Sequence, residues 1–243
     1  MIDSRKRSII KALSWRALGF VLLSFLTYGV TGSMKAVGWI AVVYHLAMLG
    51  LYFFHERLWN HVMWGRTSGL FIQMTGMSGA GKSTVAHAAA EKLREKGLKV
   101  EVIDGDEYRA GLCSDLGFSK EDRNTNIRRL GFVSKVLARN NVISIIAAIN
   151  PYDSIRQELG ELGNSIKTVY VKCDLDTLKK RDTKGLYKRA LLPNGDPHKV
   201  YNFTGVSDPF EEPETPDLTL YTNIESREYS IARLERFIVR CVS

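Results

Sequence analysis

Cysteine is scarce in this chain, and acid is nearly missing from one end of it. The 243 residues include three cysteines, Cys113, Cys173 and Cys241, an odd number with no close pair and no metal-ligand spacing. That suits a reducing compartment better than a disulfide framework, and all three read as structural or incidental. Within residues 1–66, eight basic positions (Arg5, Lys6, Arg7, Lys11, Arg16, Lys35, Arg57, Arg66) face only Asp3 and Glu56. Removing these from the chain's 34 basic and 26 acidic residues leaves 26 and 24, so most of the net charge of +8 belongs to the N-terminal quarter. The near balance of the remainder argues against a nucleic-acid-binding catalytic domain. The basic end points to a membrane surface.

Charge is absent altogether from two runs, residues 17–30 and 36–55. The second has about the twenty residues needed to span a bilayer core of roughly 30 Å. Thr31-Gly32-Ser33-Met34-Lys35 reads as a tight turn between them, which makes a helical hairpin with spans at about 13–31 and 36–55. A secretory signal would show one short apolar core and a small-residue cleavage site, and the second run speaks against it. Basic residues crowd both outer ends and Trp15, Trp39, Trp59 and Trp64 sit near the interfaces, so both termini are expected in the cytoplasm. His45, inside the second run, reads as a neutral imidazole bonded within the helix pair.

Beyond the hairpin, Gly76-Met77-Ser78-Gly79-Ala80-Gly81-Lys82-Ser83-Thr84 fits the phosphate-loop pattern G-x-x-x-x-G-K-S/T at every constrained position. Glycines let successive N–H groups curl inward onto phosphate oxygens, Lys82 follows the β- and γ-phosphates, and Ser83 is placed to ligate magnesium. Leu70 to Thr75 reads as the strand before the loop and Ser83 to Glu95 as the helix after it, whose N-terminus favours phosphate. Apolar runs then alternate with amphipathic ones. Strands are expected at Val100–Asp104, Val142–Ala148 (central), Val169–Val171 and Leu218–Tyr221, with helices at Glu121–Asn140 and Ser226–Arg240. This is the α/β pattern of a mostly parallel sheet flanked by helices, preceded by the hairpin, with domains at 1–66 and 67–243. Ligands in such sheets bind beyond the strands' carboxyl ends. At one such end stand Asp104, Asp106 and Arg109, two carboxylates for a magnesium shell and a hydroxyl proton, with a guanidinium for an anion.

Further motifs follow: Phe118-Ser119-Lys120-Glu121-Asp122-Arg123-Asn124-Thr125-Asn126, Ile149-Asn150-Pro151-Tyr152, Arg181-Asp182-Thr183-Lys184-Gly185-Leu186-Tyr187, Asn202-Phe203-Thr204-Gly205 and Pro209-Phe210-Glu211-Glu212-Pro213-Glu214. In this order residues 69–223 resemble the adenylyl-sulfate kinases. The resemblance implies transfer of the ATP γ-phosphoryl group to the ribose 3′-hydroxyl of adenosine 5′-phosphosulfate. It implies Lys82, Asp104 and Asp106 as catalytic residues, and Gly76 to Thr84 with Arg181 as the ATP site. Ser83, with Asp104 acting through water, would hold Mg2+. Asp106 would receive the acceptor hydroxyl, Arg109 and Arg123 the phosphosulfate, Phe118 and Phe203 the acceptor's base, and Asn126, Ile149, Asn150 and Lys184 would complete the substrate contacts. A mobile lid is implied at 184–205. Residues 7–65 resemble a family of small bacterial membrane domains of unassigned function. Together these imply a multi-pass bacterial inner-membrane protein with its kinase domain in the cytoplasm, ATP, a nucleotide acceptor and the bilayer as partners, no nucleic acid, and room for a homodimer.

Two departures stand out. Where many members of the family have serine before Pro-Tyr, this chain has Asn150, which cannot be phosphorylated, so direct in-line transfer is expected. The lid also carries an insertion, Leu191 to Tyr201, whose Pro193-Asn194-Gly195-Asp196-Pro197 reads as consecutive turns. That keeps a kinase for another activated nucleotide, such as a cytidine diphosphate conjugate, and an inactive membrane nucleotide sensor in view.

Overall fold

A computed structural model describes residues 5–61, 68–163, 166–182 and 184–242. The chain divides into two compact units, 1–66 and 67–243.

The first unit is a helical hairpin. α1 (Arg5–Thr31) and α2 (Met34–His61) are joined at Gly32 and Ser33, where Gly32 takes φ +64° and donates its N–H to Tyr28 O at 2.8 Å. This is the left-handed helix stop that glycine makes without a Cβ clash. Val37 and Ala41 are buried, whereas Phe25, Val30, Trp39 and Leu46 are exposed. The expected spans at 13–31 and 36–55 fall within these helices, yet among the described residues no helix is long and apolar enough to cross a membrane. Within the hairpin the His45 ring stacks on Phe20 at 5.6 Å and meets Tyr44 edge-on at 5.4 Å, and its buried Nε2 has no hydrogen-bond partner among the described residues. Trp15, Trp59 and Trp64 lie outside the described side chains.

The second unit is built on five parallel strands, β1 (Leu70–Thr75), β2 (Val100–Asp104), β3 (Ile143–Ala147), β4 (Ile166–Lys172) and β5 (Leu218–Tyr221), in the order β2-β3-β1-β4-β5. The central strand is therefore β1, and the run at 142–148 lies beside it. β1 is buried along its whole length, as a parallel strand covered on both faces must be. Its alternate residues serve two cores. Leu70, Ile72 and Met74 pack with α3 (Lys82–Glu95) and α9 (Arg227–Val242), while Phe71 packs with α5 (Lys120–Arg139) and α6 (Asp153–Gly160). The second core gathers Ile103, Ile127, Leu130, Ile146, Ile155 and Leu159. Each such side chain contributes about 1.5–3 kcal/mol of burial. Short helices α4 (Gly105–Ala110), α7 (Leu175–Arg181) and α8 (Leu186–Ala190) complete the unit.

Gly69, just before β1, approaches α5 so closely that a Cβ there would stand 1.9 Å from the Ala138 carbonyl oxygen. The obstacle is backbone and cannot swing aside. Gly69→Ala is therefore expected to destabilise the unit by about 2 kcal/mol, read as a melting temperature lowered by roughly 4–8 °C. An unchanged melting temperature would show that the β1–α5 contact is loose.

Candidate active site

The carboxyl ends of the strands open into a cleft of about 1020 Å³. One end of it is the phosphate loop. Gly76, Gly79 and Gly81 all take positive φ, and at Gly76 a Cβ would lie 2.4 Å from the Val171 carbonyl oxygen, so the loop's first residue is glycine for space as well as for conformation. Gly81 begins α3 without a side-chain cap, which leaves the first amides of that helix for an anion. Lys82 is buried and donates to the carbonyls of Gly76 and Met77, each at 2.8 Å. Burial pushes its pKa down to about 8, Asp106 and Asp104 opposing the shift and Lys184 adding to it. Gly76 and Met77 stand behind the cleft as acceptors for this lysine. Ser78 to Thr84 line it.

Asp104 ends β2 and caps α4, its Oδ1 accepting from the amides of Asp106 at 2.9 Å and Glu107 at 3.5 Å. Burial alone would raise its pKa. The Ser83 hydroxyl, those two amides and nearby His87 outweigh burial and hold the carboxyl below the usual carboxylate range. A carboxylate and a serine hydroxyl thus stand near one another at the mouth of the loop, a set of hard oxygen donors. Asp106, one residue into α4, is exposed and ion-paired with Lys184 of the lid.

Arg109 donates to the Gly117 carbonyl at 2.7 Å and lies 4.6 Å from the Phe118 ring centre. Arg123, on α5, lies 5.7 Å from the same ring and donates from Nε to the Phe118 carbonyl at 3.2 Å. Its pKa is lowered by burial, with Asp208 at 4.0 Å opposing. Phe118 itself is 57% exposed. Phe203 is different: it is buried, edge-on to Tyr187 at 4.9 Å, and part of the α3-side core, although it also lines the cleft. Asn126 and Asn150 line it too, each with a buried Oδ1 that has no partner among the described residues.

Asn150 takes φ +46°, a conformation asparagine tolerates better than most residues. Its Nδ2 donates to Gln73 Oε1 at 3.1 Å, and its carbonyl receives Thr75 Oγ1 at 2.9 Å and Arg156 at 2.9 Å. Ile149 contributes its carbonyl, which accepts from Gly76 N at 3.1 Å. Arg181 donates to the Thr222 carbonyl at 2.6 Å.

Every expected site residue except Gly76 and Met77 lines this one cleft. Residues not anticipated join them. Tyr187 donates to the Ser78 carbonyl at 2.9 Å, tying α8 to the phosphate loop, and Thr222 donates to the Ala80 carbonyl at 2.8 Å. Glu225 and Arg227 also line the cleft. Both follow β5, where the strand-end rule could have found them. In the lid, Asp196 N donates to Pro193 O at 3.3 Å and Lys199 N to Asp196 O at 3.1 Å, the expected turns, and Val200 and Tyr201 reach the cleft. Thr183 lies outside the described residues.

Comparison with known proteins places this geometry. The family model described as Adenylylsulphate kinase matches residues 68–221, and one described as Predicted membrane protein (DUF2061) matches residues 9–60. The chain is 46% identical over 170 residues to the adenylyl-sulfate kinase of Rippkaea orientalis, covering 70% of this chain and 91% of that one. It is 46% identical over 174 residues to the probable adenylyl-sulfate kinase of Bacillus subtilis, covering 71% and 86%. Among solved structures, the Mycobacterium tuberculosis APS kinase in complex with AMPPNP and APS superposes with a TM-score of 0.65 at 34% identity, covering 71% of this chain and 99% of that one.

Proposed function

Because this chain belongs to the adenylyl-sulfate kinase family, we propose that it transfers the γ-phosphoryl group of ATP to the 3′-hydroxyl of adenosine 5′-phosphosulfate, giving 3′-phosphoadenylyl sulfate and ADP. The chain is an ATP-dependent kinase acting on a hydroxyl. The observation that carries the choice of acceptor is Phe118, an exposed ring flanked by the guanidiniums of Arg109 and Arg123 in the same cleft as the phosphate loop. A flat aromatic face suits a base. Forked, fixed cations suit the spread negative charge of a phosphosulfate.

In this reading the loop amides and Lys82 hold the β- and γ-phosphates, and Arg181 lies by the ATP base. Phe118 and Phe203 hold the acceptor's base, with Asn126, Ile149 and Asn150 completing that side. Asp106 takes the proton as the 3′-oxygen bonds to the γ-phosphorus and the bridging bond to ADP breaks. The Asp106–Lys184 ion pair keeps this carboxylate beside the lid, so that lid closure and base placement are one event. Asn150 offers no nucleophile, which leaves direct in-line transfer. Ser83 and Asp104, neighbouring oxygen donors that line the same cleft, fit Mg2+, a hard ion that takes few protein ligands. When bound it supplies charge neutralisation at the phosphates.

A second acceptor class is kept by one observation, the reach of Val200 and Tyr201 from the enlarged lid into the cleft. ADP release by the full chain, measured with ATP-magnesium and a panel of nucleotide acceptors, tests the choice. Adenosine 5′-phosphosulfate is expected to give the highest kcat/KM. Preference for a cytidylyl acceptor would overturn the reading, and silence with every acceptor would favour a sensor.

The hairpin is read as the membrane anchor, in the bacterial inner membrane with the kinase on the cytoplasmic side. Its exposed apolar side chains and its excess of cations at the outer ends support this, as does its match to the membrane family at residues 9–60.

A further inference from the structure

We propose that the kinase unit has a built-in lipid-facing surface, the end opposite the cleft, and that its partner is the anionic headgroup layer of the membrane that holds the hairpin. The inference rests on the membrane reading above and adds a second contact to it.

In a parallel sheet with helical crossovers, the amino ends of all strands and the carboxyl ends of the long helices share one face. The chain enters the kinase unit there, at Gly69 packed against Ala138 near the end of α5. In the sequence only six residues, 62–67, separate the end of α2 from the first described residue of this unit. The same face is cationic. Lys99, Lys135, Arg139 and Arg240 have no ionic partner among the described residues and outnumber the two carboxylates there that also have none, Glu95 and Glu161; three other carboxylates are paired, Glu235 with Lys96 at 2.6 Å, Asp217 with Lys167 at 2.9 Å and Glu101 with Arg94 at 3.9 Å. Residues 67–243 as a whole carry nearly balanced charge, so this excess is local.

The surface also has a shape for its ligand. Lys135 and Arg139, one helical turn apart, rim a pocket of about 170 Å³ floored by Phe71, Leu162 and Ile166. A phosphodiester headgroup meets two cations at that rim. On the same helix Phe132 is 68% exposed and Val136 42%, an apolar pair one turn apart suited to the headgroup–acyl boundary. Cations near a charged leaflet each strengthen binding several-fold, and salt removes the effect. Cations at helix carboxyl ends also answer the helix dipole. That role would be indifferent to lipid, which makes the two separable.

The test uses the full chain in phosphatidylglycerol-rich and in pure phosphatidylcholine vesicles, read by flotation and by amide hydrogen exchange. We expect flotation with both, and exchange over residues 135–142 slowed roughly tenfold in the anionic vesicles only, the difference vanishing in high salt. The variant K99Q/K135Q/R139Q/R240Q is expected to float normally, to lose the lipid-dependent protection, and to keep ATP turnover within about twofold, since none of the four lines the cleft. Equal exchange in the two vesicles would overturn the lipid contact while leaving the anchor intact. A chain that floats with neither would overturn both.

Discussion

Lys82→Ala is expected to lower kcat/KM for ATP by about a thousandfold, roughly 4 kcal/mol of transition-state stabilisation. The ammonium is buried with only the Gly76 and Met77 carbonyls as hydrogen-bond partners, so its charge is poorly compensated until phosphate arrives. The depressed pKa of about 8 expresses that shortfall. A triphosphate supplies the missing countercharge, and the favourable exchange is what the substitution removes. The wild type should show the same physics as pH dependence: kcat/KM for ATP falls as pH rises through about 8, because the free enzyme then loses the proton, while kcat bends at higher pH because bound phosphate holds it. Stability without nucleotide should run the other way. Between about 8 and the unfolded value of 10.5 the unfolded chain binds more protons than the folded one, so the Lys82 contribution rises with pH in that window. In Lys82→Ala both slopes should disappear while the circular dichroism stays native. Near-normal turnover in that variant would remove the phosphate-loop assignment.

Much of this was legible because the motif residues are constrained locally. Gly76, Gly79 and Gly81 announce a loop that needs positive φ and close backbone approach, and the structure supplies both. The strand at 70–75 and the helix after the loop appear with nearly the expected bounds. Strand order was not legible, since β3 is as fully buried as β1, has a neighbour on each side and feeds both cores, so apolarity does not reveal which of the two stands third of five. The short helices α4, α7 and α8 carry too few residues for a period to show. Asp104 was legible as a carboxylate at a strand end, but its capping of α4 depends on a turn whose geometry no spacing reveals. Phe203 illustrates the converse. Its position in a motif marked it as a ligand contact, whereas its burial against Tyr187 gives it a core role as well.

Asp106→Asn is expected to lower kcat by about 10²–10⁴ with little change in the KM for ATP. The substitution keeps the size of the side chain and leaves the backbone amide that Asp104 caps at 2.9 Å, so α4 should stay in place. What it removes is the capacity to accept a proton and the ion pair with Lys184. The comparison that isolates the proton is Lys184→Met, which breaks the same pair but spares the carboxylate. If Asp106 acts as the base, Asp106→Asn should be far slower than Lys184→Met in single-turnover phosphoryl transfer, and the lysine variant should instead raise the acceptor KM through a loosened lid. If the two variants lose equal activity, the ion pair and not the proton is what matters, and Asp106 becomes a lid anchor. Asp104→Asn supplies the third reference point. It keeps the cap, since asparagine caps about as well as aspartate, but weakens the oxygen donor near Ser83, so its loss should be partly restored by excess magnesium, whereas that of Asp106→Asn should not.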